Sequence, residues 1–90
     1  MKVLRKPRYW ESLQAIEDFV AKDNPTAAVD LWLTIDGQVS LLADPNFPRR
    51  RGRVSGTLEL VAHPNYVVIL VQAEDTVTAI EVLHVARQYP

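Results

Sequence analysis

The sequence has 90 residues, 48% of them hydrophobic and 23% charged, and no cysteine, enough for one small core while excluding disulfides and thiolate metal sites. Its net charge of −1 hides a partition: Lys2, Arg5, Lys6 and Arg8 form one basic island and Arg49, Arg50, Arg51 and Arg53 a second, whereas residues 9–48 hold one base, Lys22, against seven acids. The N-terminus lacks the apolar stretch of a signal peptide, and the longest apolar run, residues 66–71, falls far short of the ~18 that cross a bilayer. The expectation is one cytoplasmic domain over residues 1–90, without a membrane partner.

In residues 9–22 the apolar side chains Tyr9, Leu13, Ile16 and Val20 recur at helical spacing, with Glu11, Gln14, Glu17 and Asp18 elsewhere, which predicts an amphipathic helix. Asp23-Asn24-Pro25 then ends one helix and opens another, because Asn24 suits an N-cap and Pro25 the first helical position. The second helix is expected over about residues 25–43, with Ala28, Leu31, Ile35, Val39 and Leu42 as its stripe. Gly37 interrupts it at a cost of about 1 kcal/mol relative to alanine. Trp32 falls off the stripe, so it either covers the stripe's edge or stands exposed as an apolar anchor.

Asp44-Pro45-Asn46-Phe47-Pro48 cannot continue a helix, and with the arginines and Gly52 it predicts one long, polar, mobile, basic loop. From Thr57 to His63 the period becomes two, setting Leu58, Leu60 and Ala62 on a buried face and Thr57, Glu59 and Val61 on the other. Residues 66–72 read as a nearly all-apolar strand, and residues 76–85 as a last, β-branched strand. Successive hairpins make the pairing antiparallel. The fold class is therefore α+β, a helical hairpin on an antiparallel sheet, with the central strand buried on both faces and a partner chain as a source of cover.

The three glycines do not build a phosphate-cradling turn between a strand and a helix. Two histidines without a matching carboxylate spacing imply no metal, and Ser12, Ser40 and Ser55 lack a nucleophile's setting. No cofactor and no small-molecule substrate are expected. Four guanidinium groups within residues 49–53 repel one another unless they are solvated or face an anion, so the run is either a solubilising loop or a contact for phosphate or an acidic protein segment. Near the C-terminus, His84, Arg87 and Tyr89 offer a titratable ring, a fixed cation and a phenol, a set that could assist RNA cleavage or simply end a strand.

Taken together, DNPTAAVDLW at the second helix, LLADPNFPRRRGRVSGTLELV from loop to strand, YVVILV and EVLHVARQYP resemble the RelE/ParE superfamily of type II toxin–antitoxin toxins. The specific parts are Gly-Arg-x-x-Gly-Thr-x-Glu-Leu-Val, residues 52–61, and Val-Leu-His-x-Ala-Arg, residues 82–87. The resemblance implies a short N-terminal strand, a two-helix hairpin, an antiparallel sheet of three further strands, and a cognate antitoxin wrapped over the toxin. It implies growth arrest, and a part in plasmid stabilisation, through one of two targets: mRNA in the ribosome, cut by RelE-like members, or DNA gyrase, poisoned by ParE-like members.

Members that cut RNA resemble one another in being strongly basic. Here Leu58 stands where arginine is common, residues 66–72 contain no base, and the sequence pI is about 6.1. A ParE-like gyrase poison is the favoured reading, with Arg49, Arg50, Arg51, Arg53, Arg87 and Tyr89 as target contacts and no catalytic residue. For a nuclease, the candidates are Arg53, His84, Arg87 and Tyr89. A third reading is a degenerate, harmless module that only binds its antitoxin. The antitoxin contacts are expected at Trp32, Tyr66, Val68 and Leu70.

Overall fold

A computed structural model describes residues 1–86. The elements are β1 (Lys2–Arg5), α1 (Pro7–Ala21), α2 (Pro25–Leu41), β2 (Arg50–Arg51), β3 (Leu58–His63), β4 (Tyr66–Gln72) and β5 (Thr76–His84). The strands form one sheet in the order β1-β5-β4-β3-β2. The α+β fold with a two-helix hairpin is as expected, but the sheet is mixed and has five strands, because β1 joins β5 in parallel and the arginine run supplies β2. A parallel neighbour requires a long crossover, and here the helical hairpin and the other strands separate the two.

Each helix begins where the backbone is prepared for it. Pro7 opens α1, and Pro25 opens α2 behind Asn24, whose side-chain oxygen accepts from the Ala27 N–H at 3.0 Å. This satisfies one of the donors that a helix start leaves without a carbonyl. Tyr9 and Leu13 of α1 and Ile35 and Val39 of α2 enter a core shared with Leu42, Leu60, Ala62, Tyr66, Val68, Leu70, Val77, Ala79 and Val82. Those sheet residues share the face that the helices cover. Trp32 is partly buried against this core and stacks on Trp10 with ring centroids 5.8 Å apart, which makes it the cover at the stripe's edge.

Strand β1 reaches β5 only as far as Ala79, leaving the rest of that edge without a strand partner. Helix α1 fills the gap: Ser12 Oγ accepts from the Val82 N–H at 2.9 Å while donating to Tyr9 O at 2.9 Å. A hydroxyl can do both at once, so the serine substitutes for one rung of the ladder.

A second polar cluster joins β1 to both helices. Arg5 Nε donates to Asp36 Oδ1 at 2.8 Å, Arg5 Nη2 to Ser40 Oγ at 2.8 Å, and Tyr9 Oη to the same Asp36 oxygen at 2.7 Å. Burial, reinforced by its bond to the Asp36 carboxylate, raises the Tyr9 phenol far above its ordinary range. The folded chain therefore holds this proton after the unfolded chain has begun to release it, so the contribution is fully present below the unfolded pKa of about 10 and is lost as pH rises beyond it. Tyr9→Phe is expected to cost about 1–3 kcal/mol at neutral pH and to flatten the alkaline decline above about pH 10. Denaturant titrations of both proteins at pH 7 and above pH 10 check this, and equally steep alkaline declines would contradict it.

Candidate functional site

The arginine run is organised by an acid. Arg50 of β2 lies opposite Glu59 of β3 in an antiparallel pair, so the two side chains share one face of the sheet. Glu59 retains only 1% of its exposure, although alternation alone would have left it in solvent beside Val61. Arg50 Nε and Nη2 both lie 3.0 Å from Glu59 Oε1, and the Arg53 backbone N–H donates to Oε2 at 3.3 Å. Both carboxylate oxygens are thus spent on the loop, and a buried charge requires this kind of pairing.

The remainder of the loop is equally closed. The Gly52 N–H donates to Thr57 O at 2.9 Å, while the Thr57 N–H and hydroxyl donate to Val54 O at 3.1 and 2.6 Å. A Cβ at residue 52 would sit 2.9 Å from Thr57 O, and Gly56 has φ +85°, a backbone region where glycine carries no steric penalty. Those two glycines of the Gly-Arg-x-x-Gly-Thr motif are needed for closure. The expected mobile loop is instead a built turn, because its backbone donors and its anion are supplied internally.

The four arginines consequently have different roles. Arg49 donates to Phe47 O at 3.0 Å, Asp44 O at 2.6 Å, Leu42 O at 3.4 Å and Gln72 Oε1 at 3.1 Å. It fastens the chain just beyond α2, where helix carbonyls run out of partners, to the end of β4. Arg50 is committed to Glu59. Arg51 is exposed and has no hydrogen bond or ion pair among the described residues, and Arg53 is exposed at the turn. Arg51 and Arg53 border a shallow hollow lined also by Ser55, Thr57, Leu58 and Gln72.

His84 lies elsewhere. It pairs with Tyr66, whereas Leu58, opposite Arg51, pairs with Leu70. Four residues of β4 separate those rungs, about 13 Å along the strand, and His84 is two strands away from β3. His84 Nδ1 accepts from the Ala86 N–H at 3.0 Å, and the ring meets Tyr66 edge-on at 5.0 Å. The candidate nuclease pair, Arg53 and His84, is therefore not assembled into one site; Arg87 and Tyr89 lie outside the described residues.

Of the expected antitoxin contacts, Tyr66, Val68 and Leu70 point into the chain's own core beneath the helices. Val68 and Leu70 have no exposed surface and need no partner to cover them, which corrects the expectation there, whereas Tyr66 keeps an edge on an open groove. That groove, largely apolar, runs between α1 and the end of β5 and is lined by Ile16, Phe19, Tyr66, Leu83 and Ala86, with Glu81 and His84 at its polar part and Phe19 59% exposed. The residue that sequence reasoning missed is Glu59. The available signal was an acid inside a strand, nine positions after an arginine, a spacing that a hairpin brings face to face.

Glu59→Gln sets an amide N–H₂ against either a guanidinium or the Arg53 N–H, a donor facing a donor. It is expected to cost about 1–2 kcal/mol, a fall in melting temperature of roughly 4–16 °C, kept modest because the Arg50 side chain is 53% exposed and can regain water. Arg51→Ala should shift stability by less than about 0.5 kcal/mol. Thermal denaturation of the two variants separates the anchor from the arginine it presents; equal losses would contradict the division of roles.

No curated protein matches the sequence. Among solved structures, the chain is similar to one described as the chromosomal ParDE TA system from P. aeruginosa, with TM-score 0.80, 20% identity, and coverage of 94% of this chain and 96% of that one. A family model described as the ParE toxin of type II toxin-antitoxin system, parDE, matches residues 3–89. With a match extending over nearly the whole sequence and the same fold, the chain belongs to the ParE toxin family of type II toxin–antitoxin systems.

Proposed function

We propose that this chain arrests growth by poisoning DNA gyrase through surface contacts and is neutralised by a cognate antitoxin. The observation that carries this reading is the fixed presentation of Arg51 and Arg53 around an exposed hollow. Arginines carried on a backbone held in place lose less freedom on meeting an anionic surface than arginines on a flexible loop. RNA cleavage instead requires a proton acceptor, a proton donor and a phosphate-steadying cation in contact with one scissile bond, and His84 of β5 lies three strands across the sheet from Arg51 of β2 and about 13 Å along it. Contact without chemistry fits this geometry better.

The antitoxin is proposed to engage the groove between α1 and β5, where exposed Phe19 and partly buried Ile16 give an apolar segment something to bury against. Each large apolar side chain covered there contributes about 1.5–3 kcal/mol.

Pulse incorporation of labelled thymidine and labelled amino acid, minutes after induction without antitoxin, tests the target. DNA synthesis should fail first while translation continues, and Arg51→Ala should relieve the arrest without loss of folded protein. Translation failing first would assign the ribosome instead. Harmless expression of folded wild-type chain would assign the degenerate binding module.

A further inference from the structure

The edge strand β1 presents backbone groups that nothing else in the described chain takes up. The Lys2 and Lys6 N–H groups donate to Asp75 O at 2.8 Å and Ala79 O at 3.0 Å across the parallel ladder. Backbone direction alternates along a strand, so Lys2, Leu4 and Lys6 turn their N–H and C=O groups toward β5, whereas Val3 and Arg5 turn theirs away from the sheet. Among the described residues, no backbone or side-chain group bonds to that outer edge. An open edge of this kind is a template for a further strand.

Side chains decide which strand fits. Lys2 and Leu4 share one face of β1 and are exposed, and Lys6, still extended at φ −76° and ψ 155°, continues the row. Neither lysine makes a side-chain hydrogen bond or ion pair among the described residues. The nearby acids are engaged elsewhere: Asp36 holds Arg5 at 2.8 Å and Glu81 holds Arg8 at 3.2 Å, while Asp75 is bonded to Lys2 through its backbone carbonyl.

We infer that β1 takes up an extended acidic segment of a partner polypeptide as a further strand, with acids opposite Lys2 and Lys6 and an apolar side chain against Leu4. Opposite charges stabilise cross-strand neighbours and like charges oppose them. A second copy of this chain does not fit. Antiparallel pairing that faces Val3 with Arg5 sets Lys2 against Lys6, and parallel pairing sets each lysine against itself. The other free edge of the sheet, β2, would bring Arg51, which has no anion among the described residues. The lysines thus guard the edge against self-pairing while selecting an acidic strand. This edge is separate from the α1–β5 groove and from the arginine turn, so it depends on neither assignment.

Titration of the purified chain, to about 1 mM, with a peptide alternating glutamate and valine tests the inference, and a peptide alternating lysine and valine is the control. The acidic peptide should bind and slow amide hydrogen exchange at Val3 and Arg5 by at least about tenfold, because their N–H groups gain acceptors. Joint Lys2→Glu and Lys6→Glu substitution should weaken that binding by more than about tenfold and admit the lysine peptide. Val3→Pro removes one outward donor and leaves the ladder to β5 intact, so it should weaken binding with the circular dichroism spectrum retained. No binding by that concentration, equal binding of both peptides, or binding that leaves Val3 and Arg5 exchange unaltered would overturn the inference.

Discussion

The arrangement of the arginine turn in this toxin depends on one buried carboxylate. Glu59 lies in the sheet with 1% of its surface exposed, and its two oxygens take up the Arg50 guanidinium and the Arg53 backbone N–H. Without it, Arg50 would lose its anion and repel the neighbouring arginines of residues 49–53, of which Arg49 has its own carbonyl and amide partners in the chain beyond α2 and on β4. With it, one guanidinium is neutralised, a two-residue strand is pinned to β3, and the turn through Gly52 and Gly56 closes. The loop holds its conformation because the acid is inside.

The same economy of polar partners recurs at the opposite edge of the sheet. Strand β1 is short, and Ser12 supplies the rung it cannot reach, while Arg5, Asp36 and Tyr9 fasten it to the hairpin above. These bonds replace long strand pairing, which a chain of this size has few residues to provide. They also fix α1 across the end of β5, and that position creates the groove beside Phe19.

Much of this was legible in the sequence, for identifiable reasons. The helix start at Pro25 and the strand Tyr66–Gln72 are set by local chemistry, namely proline at the first helical turn and an unbroken apolar run, whereas the helix expected from Tyr9 begins two residues earlier, at Pro7. Other features depend on side chains far apart in sequence. Glu59 reads as a solvent-facing residue until Arg50 is known to lie opposite, and Val68 and Leu70 suit a partner surface until the helices are known to cover that face. The parallel pairing of β1 could not be read either, since β1 and β5 are separated by most of the chain. Arg49 resembles its neighbours in sequence, and only its ties to Asp44 and Gln72 mark it as structural.

Presentation of the arginines requires that their turn be held in place before any target arrives. Amide hydrogen exchange of the free chain measures this directly at Gly52, Arg53 and Thr57, each of whose N–H groups has an acceptor within the turn or on Glu59. Exchange at all three should be slowed by at least about tenfold relative to an unstructured chain. Exchange at the unstructured rate would mean a flexible basic loop, and would contradict the claim that Glu59 builds the platform.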